Sequence, residues 1–128
     1  MNKSLDIFQT ASAMAKHAGV RQAMVARNIA NADTPAYRAH DIAAFRETYK
    51  AHAAEQPLRM TRPGHLASSE GAFAAQIIET GGEPAPNGNT VSLEEELMNS
   101  VQISRDHSTA LAIYQHAMTV MRTSLGKP

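Results

Sequence analysis

The residues through which this 128-residue chain could do chemistry are six histidines, a run of three glutamates and a scatter of serines. The histidines stand at positions 17, 40, 52, 65, 107 and 116. No two are three or four apart, the spacing that sets two metal ligands on one helix face, and His107 and His116 diverge. They are expected to be surface or boundary residues. The absence of cysteine excludes disulfides, thiolate ligands and thiol catalysis. No Gly-x-Ser-x-Gly elbow presents a nucleophile. Glu79-Thr80-Gly81-Gly82 lacks the lysine and the spacing of a phosphate loop. Glu94, Glu95 and Glu96 could be imagined as acid/base carboxylates, but a position at the start of a helix accounts for them. No catalytic residue, metal site or cofactor is expected, and the chain reads as a non-enzyme.

Charge and composition narrow the remaining classes. Twelve basic and twelve acidic residues cancel, which removes the basic surface that displaces counterions from nucleic acid. No stretch reaches the roughly 18 unbroken apolar residues of a membrane span. Alanine supplies 23 residues, whereas Leu, Ile, Val and Phe together number only 22. That share, about 17%, lies below the roughly 20% at which a sizeable core becomes doubtful. Low hydrophobicity signals disorder only when net charge is high. An alanine-rich, neutral chain instead suggests long, closely packed helices that complete their burial on other chains.

The elements follow from periodicity. From Ser4 to about Asn31 the chain is rich in Ala, Met, Gln and Arg, with Gly19 the one breaker. Phe8, Ala11, Ala15, Ala18, Gln22, Val25, Ile29 and Ala32 recur at alternating spacings of 3 and 4, a coiled-coil-like seam on a helix roughly 40 Å long. Asn31 suits a left-handed exit and Pro35 forbids continuation. A second helix is announced by the turn Pro86-Asn87-Gly88-Asn89 and by a capping box in which Ser92 and Glu95 bond each other's amides. Glu94, Glu95 and Glu96 oppose the helix dipole. Leu97, Val101, Ser104, Ser108, Leu111, Tyr114, Met118, Met121 and Leu125 continue the seam, and Gly126 and Pro128 end it.

Between the helices lie five of the six prolines and five of the seven glycines. Asp41 to Lys50 suits a short helix, and Leu58-Arg59-Met60 and Ala74 to Ile78 suit short extended pieces. The expected architecture is mainly α. An N-terminal helix (1–34) and a C-terminal helix (92–128) form an antiparallel coiled-coil-like pair around an irregular middle segment (35–91), all within one structural domain. The seams are expected to supply the knobs between the helices, with the outer faces buried on neighbouring subunits. A signal-peptide reading of Lys3 and Leu5 to Ala15 fails, because Asp6 and Gln9 interrupt the apolar stretch.

The segment from Asn28 to Tyr37 is the most unusual in the chain. A helix terminus explains Asn31 and Pro35, but not why an amide replaces an apolar residue at Asn28. A bond across a helix interface would explain it. Asn28-Ile29-Ala30-Asn31-Ala32-Asp33-Thr34-Pro35-Ala36-Tyr37 closely resembles the Asn-x-Ala-Asn-x-Asn-Thr-Pro-Gly-Tyr signature of the bacterial flagellar rod, hook and hook-associated proteins. The short length and the tail from Asn89 to Leu125 are most similar to the proximal rod members. Two positions depart from the pattern. Asp33 stands where the family has Asn, and Ala36 where it has Gly, the residue that most easily takes a positive φ.

The resemblance implies an axial structural subunit of the basal-body rod. Its terminal helices would pair in the wall of a hollow shaft, with Phe8, Val25, Ile29, Leu97, Val101, Leu111, Met118 and Leu125 as the assembly seam. It also implies partners: other copies of the chain, neighbouring rod proteins such as FlgC, the FliE junction protein at the rod base, and the flagellar type III export apparatus. Export without a cleaved signal to a periplasmic rod is implied too, and Phe45 to Tyr49 stands where the family carries an export signal. A soluble helical adaptor or chaperone that binds a partner helix in a groove is the alternative. It gives no reason for the Asn28 to Tyr37 block.

Overall fold

The computed structural model describes residues 2–54 and 76–126. In chain order it contains α1 (Asn2–Ala30), β1 (His40–Ile42), α2 (Phe45–Ala54), β2 (Ile77–Glu79) and α3 (Leu93–Ser124). The two long helices are packed antiparallel. The Phe8 and Tyr114 rings meet edge to face at 5.3 Å toward the chain termini. Gln22 donates to Ser100 at 2.9 Å further along, and Asn28 reaches Glu96 at the opposite end.

Both helices begin and end for local reasons. The Ser92 hydroxyl accepts the Glu95 amide at 3.4 Å, and the first turn of α3 carries Glu94, Glu95 and Glu96 against the positive end of the dipole. Past Leu125, Gly126 takes φ 71° and closes the end. α1 unwinds through a series of turns, and Asn31 is not left-handed as expected. The Asn31 amide bonds the carbonyls of Arg27 and Asn28, and its side chain also caps Arg27. The left-handed residue of this exit is Ala36, at φ 58°.

The core is thin and made of small residues. Ala11, Ala18 and Val25 of α1 are buried, as are Ile103 and Ala110 of α3, and Ile29 packs against the Ala18–Val25–Ile103 cluster. α3 therefore presents a different row from the one its leucines mark. Glu96, Ile103 and Ala110 are its buried residues, whereas Leu97, Val101, Leu111 and Leu125 are exposed and Met118 is half-buried. Two rows with the same 3/4 spacing run along this helix. Alanine lets the backbones approach closely, so the row poorer in bulk faces α1.

The middle segment differs from expectation at its start. Asp41 and Ile42 belong to a strand, not to the first turn of a helix, and α2 begins only at Phe45. β1 pairs antiparallel with β2, with His40 opposite Glu79 and Ile42 opposite Ile77. The extended piece expected around Ala74 to Ile78 corresponds to β2 in its described part, while Leu58-Arg59-Met60 lies outside the described residues. A partner 35 or more residues away in sequence overrides local helix preference. β1 lies against α1, where Ile42 is 2% exposed.

The two rows of α3 separate experimentally in the free chain. Ile103→Ala should lower unfolding stability by about 2–5 kcal/mol. Leu111→Ala, at an exposed site, should change it by no more than about 0.5 kcal/mol. Urea unfolding followed by circular dichroism measures both, and a large loss at Leu111 would refute the assigned helix face.

Candidate functional site

The asparagine motif builds a polar junction where α1, β1 and α3 meet. Asn28 is 1% exposed and uses its whole hydrogen-bonding capacity. Its amide nitrogen donates to the His40 carbonyl at 2.7 Å and to Glu96 Oε1 at 3.0 Å. Its Oδ1 accepts the Tyr37 hydroxyl and the His40 amide, both at 3.2 Å. One side chain thereby fixes the chain's departure from α1, the entry to β1 and the start of α3. The amide does bond across a helix interface, and that interface lies within the chain.

Asn89 is the counterpart from the second passage of the chain through the junction. It is buried, and its amide nitrogen lies 2.7–2.9 Å from the carbonyls of Asn31, Ala32 and Thr34. Two N–H groups serve three acceptors, so at least one is shared. Its Oδ1 accepts the Val91 amide. Asn89 thus caps the end of α1 from 57 residues away, just before α3 begins. Around it the two passages are joined by Ala36 N to Asn87 O at 3.0 Å, Thr90 N to Tyr37 O at 3.1 Å and Ala39 N to Thr90 Oγ1 at 2.8 Å. Gly88, at φ 80°, lies against Ala36, the Cα of which would sit 3.4 Å from any added Cβ.

An ion pair and a lone buried acid complete the junction. Arg21 grips Asp41 with two bonds, Nε to Oδ1 at 2.9 Å and Nη2 to Oδ2 at 2.6 Å, and so ties α1 to β1. Burial by itself raises the Asp41 carboxyl. The Arg21 bond, the Ile42 amide and the charges of Arg21 and His17 outweigh it and hold Asp41 below its ordinary value. Glu96 is 5% exposed, and burial pushes its carboxyl up, with Asp41 and Glu95 adding to the effect against the Asn28 bond and Arg21. His17 is buried rather than superficial, its Nε2 lying 2.8 Å from the Ala43 carbonyl. Among the described residues, no group of three His, Asp or Glu could hold a metal ion.

Of the motif residues, Asn28 and Tyr37 enter this network directly. Ile29 packs on the apolar cluster, Asn31 caps α1 and accepts the Thr34 hydroxyl at 3.2 Å, and Ala30 and Pro35 are exposed. Asn89, Glu96 and the Arg21–Asp41 pair did not stand out in sequence. Asn89 looked like an ordinary turn residue and Glu96 like one of three dipole-facing acids. Only their partners across the fold distinguish them.

A helical hairpin fastened at one end by a polar junction, with large apolar side chains left outside, has the character of a structural protein built for packing. No family model matches the chain. It is 32% identical over 133 residues to the flagellar basal body rod protein FlgB of Agrobacterium fabrum, a match that covers 94% of this chain and 97% of that protein. The chain belongs to the FlgB family of flagellar basal body rod proteins. It is accordingly a structural component of the rod and not an enzyme.

The junction ranks the two motif asparagines. Asn28→Ala strands several buried groups and should cost at least about 2–3 kcal/mol, while Asn31→Ala, half-buried and bonded near its own helix end, should cost about 1 kcal/mol. Denaturant unfolding distinguishes them, and equal losses would contradict the hub role of Asn28. At Ala36 the left-handed backbone costs about 1–2 kcal/mol for a residue with a Cβ, against a gain of about 0.4–1 kcal/mol from lower unfolded-state entropy. Ala36→Gly should therefore stabilise the chain by about 0.5–1 kcal/mol, read as a higher melting temperature.

Proposed function

We propose that this chain is a subunit of the proximal part of the rod, assembling through its two terminal helices into the hollow axial shaft that transmits rotation. The observation that carries this reading is the outer surface of α3. Leu97, Val101 and Leu111 are 60%, 55% and 43% exposed, and with Ser104 and Ser108 they form a continuous row at coiled-coil spacing. The free hairpin buries small residues within and holds its bulk outside. That arrangement suits a subunit whose apolar area is completed by neighbours, and a non-closing contact between such subunits generates a helical assembly.

In this role the partners are other copies of the chain and adjoining rod proteins, FlgC among them, with the FliE junction protein at the base. The chain reaches a periplasmic rod through the flagellar type III apparatus without a cleaved signal. Phe8, Val25 and Ile29 belong to the inner packing of the pair, whereas Leu97, Val101, Leu111 and Leu125 are the contacts offered to neighbours.

A carboxylate in the outer row would be buried without a counter-charge on assembly, a cost of several kcal/mol. Val101→Asp and Leu111→Asp, exposed in the free chain, should leave folding and export intact and abolish rod assembly and motility. Swimming assays, together with mass spectrometry of detergent-washed hook–basal-body complexes, test this. Motile cells carrying either variant would refute the assigned contact row. Finding the wild-type chain only in the soluble fraction would favour a helical adaptor.

A further inference from the structure

Glu96 is the one buried acid of the junction that lacks a compensating pair. Its Oε1 accepts from Asn28 at 3.0 Å, while its Oε2 is buried with no hydrogen-bond partner among the described residues. An ionised carboxylate removed from water needs its acceptor sites filled, and one neutral amide donor fills only part of them. The cation that acts on it is held elsewhere. Arg21 of α1 is already committed to Asp41 of β1 by two bonds, and Asp106 of α3 also acts on it. Glu95, on the same helix as Glu96, adds further negative charge. From α1 the other group facing the carboxyl is the neutral amide of Asn28, itself bonded to Tyr37 and to the backbone of His40. The surroundings therefore offer Glu96 an excess of negative charge and too few donors.

We infer that Glu96 is a proton-operated latch between α1 and α3. With a proton, the carboxyl is neutral, keeps Oε1 as the acceptor for Asn28 and closes the motif end of the hairpin. Without it, a partly unsatisfied charge sits in the interface and loosens that end. The upward push of burial on this group agrees in sign. An acid whose folded value is raised binds its proton more tightly in the fold. Its contribution therefore favours the hairpin at low pH and declines as pH rises from the ordinary 4.5 through the raised folded value, then levels off. Asp41 has the opposite sign and acts below its ordinary 3.8, so the two do not overlap between pH 5 and 8. The latch is a property of the free chain and stands whether or not the rod reading holds.

The test compares the full-length chain with Glu96→Gln, which keeps the acceptor for Asn28 and cannot ionise. Urea unfolding at pH 5 and pH 8 gives a folding constant for each. Every other titratable group is the same in both proteins, so the ratio of the two constants isolates Glu96. The ratio of wild type to variant should fall on going from pH 5 to pH 8, approaching tenfold for each unit by which the carboxyl is raised above pH 5. A ratio that does not change with pH overturns the latch. Should the variant fail to fold, the side-chain carboxyl carbon of Glu96 is followed by NMR in the wild-type chain. A midpoint above the ordinary 4.5 supports the inference, and one at or below it overturns it.

Discussion

The structure depends on one buried amide with all four of its hydrogen-bonding positions filled. Asn28 lies where three elements converge, and each of its bonds goes to a different demand: the His40 carbonyl and amide, the Tyr37 hydroxyl and Glu96. A buried polar side chain is tolerated only when satisfied, and once satisfied it admits few alternatives. Through these bonds the end of the turn after α1, the entry to β1 and the start of α3 are tied to one point. Asn89 repeats the logic from the second passage of the chain, closing three carbonyls at the α1 terminus.

This polar lock matters because the apolar core is slight. Alanine contributes little area per residue, and the large side chains buried completely in the described part are Ile42, Ile103 and Val25, beside Asn28 itself. Hydrophobic stabilisation scales with apolar area removed from water. A hairpin of this kind gains less from its seam than its length suggests, and directional bonds set its geometry. Its bulky apolar residues, such as Leu97, Val101 and Leu111, stay outside. The proposed assembly through these faces gives that exposure a purpose.

The family signature and the backbone agree at a position where the residue does not. Ala36 replaces the glycine of the signature yet still takes φ 58°, pressed against Gly88 and bonded to Asn87. The turn is imposed by the bonds on either side of it, from Asn89 to Thr34 O and from Thr90 to Tyr37 O. The Ala36 methyl adds strain at this left-handed position. Asp33, the other departure, is exposed and leaves the junction to its neighbours.

Features that depend on near neighbours in the chain are legible in the residues alone. The two long helices follow from alanine-rich periodicity, the start of α3 from Ser92 with its trailing glutamates, and the break near Pro35 from a fixed φ and a missing donor. The asparagine block marked the place of the junction. Long-range packing selects which of two equally spaced rows on α3 turns inward, because spacing reports a row and not its partner. It alone made Asp41 and Ile42 a strand, through a β2 pairing and an Arg21 bond that lie far off in sequence. It alone separated Glu96 from Glu94 and Glu95, since burial is set by what lies opposite, and what lies opposite is Asn28, 68 residues away.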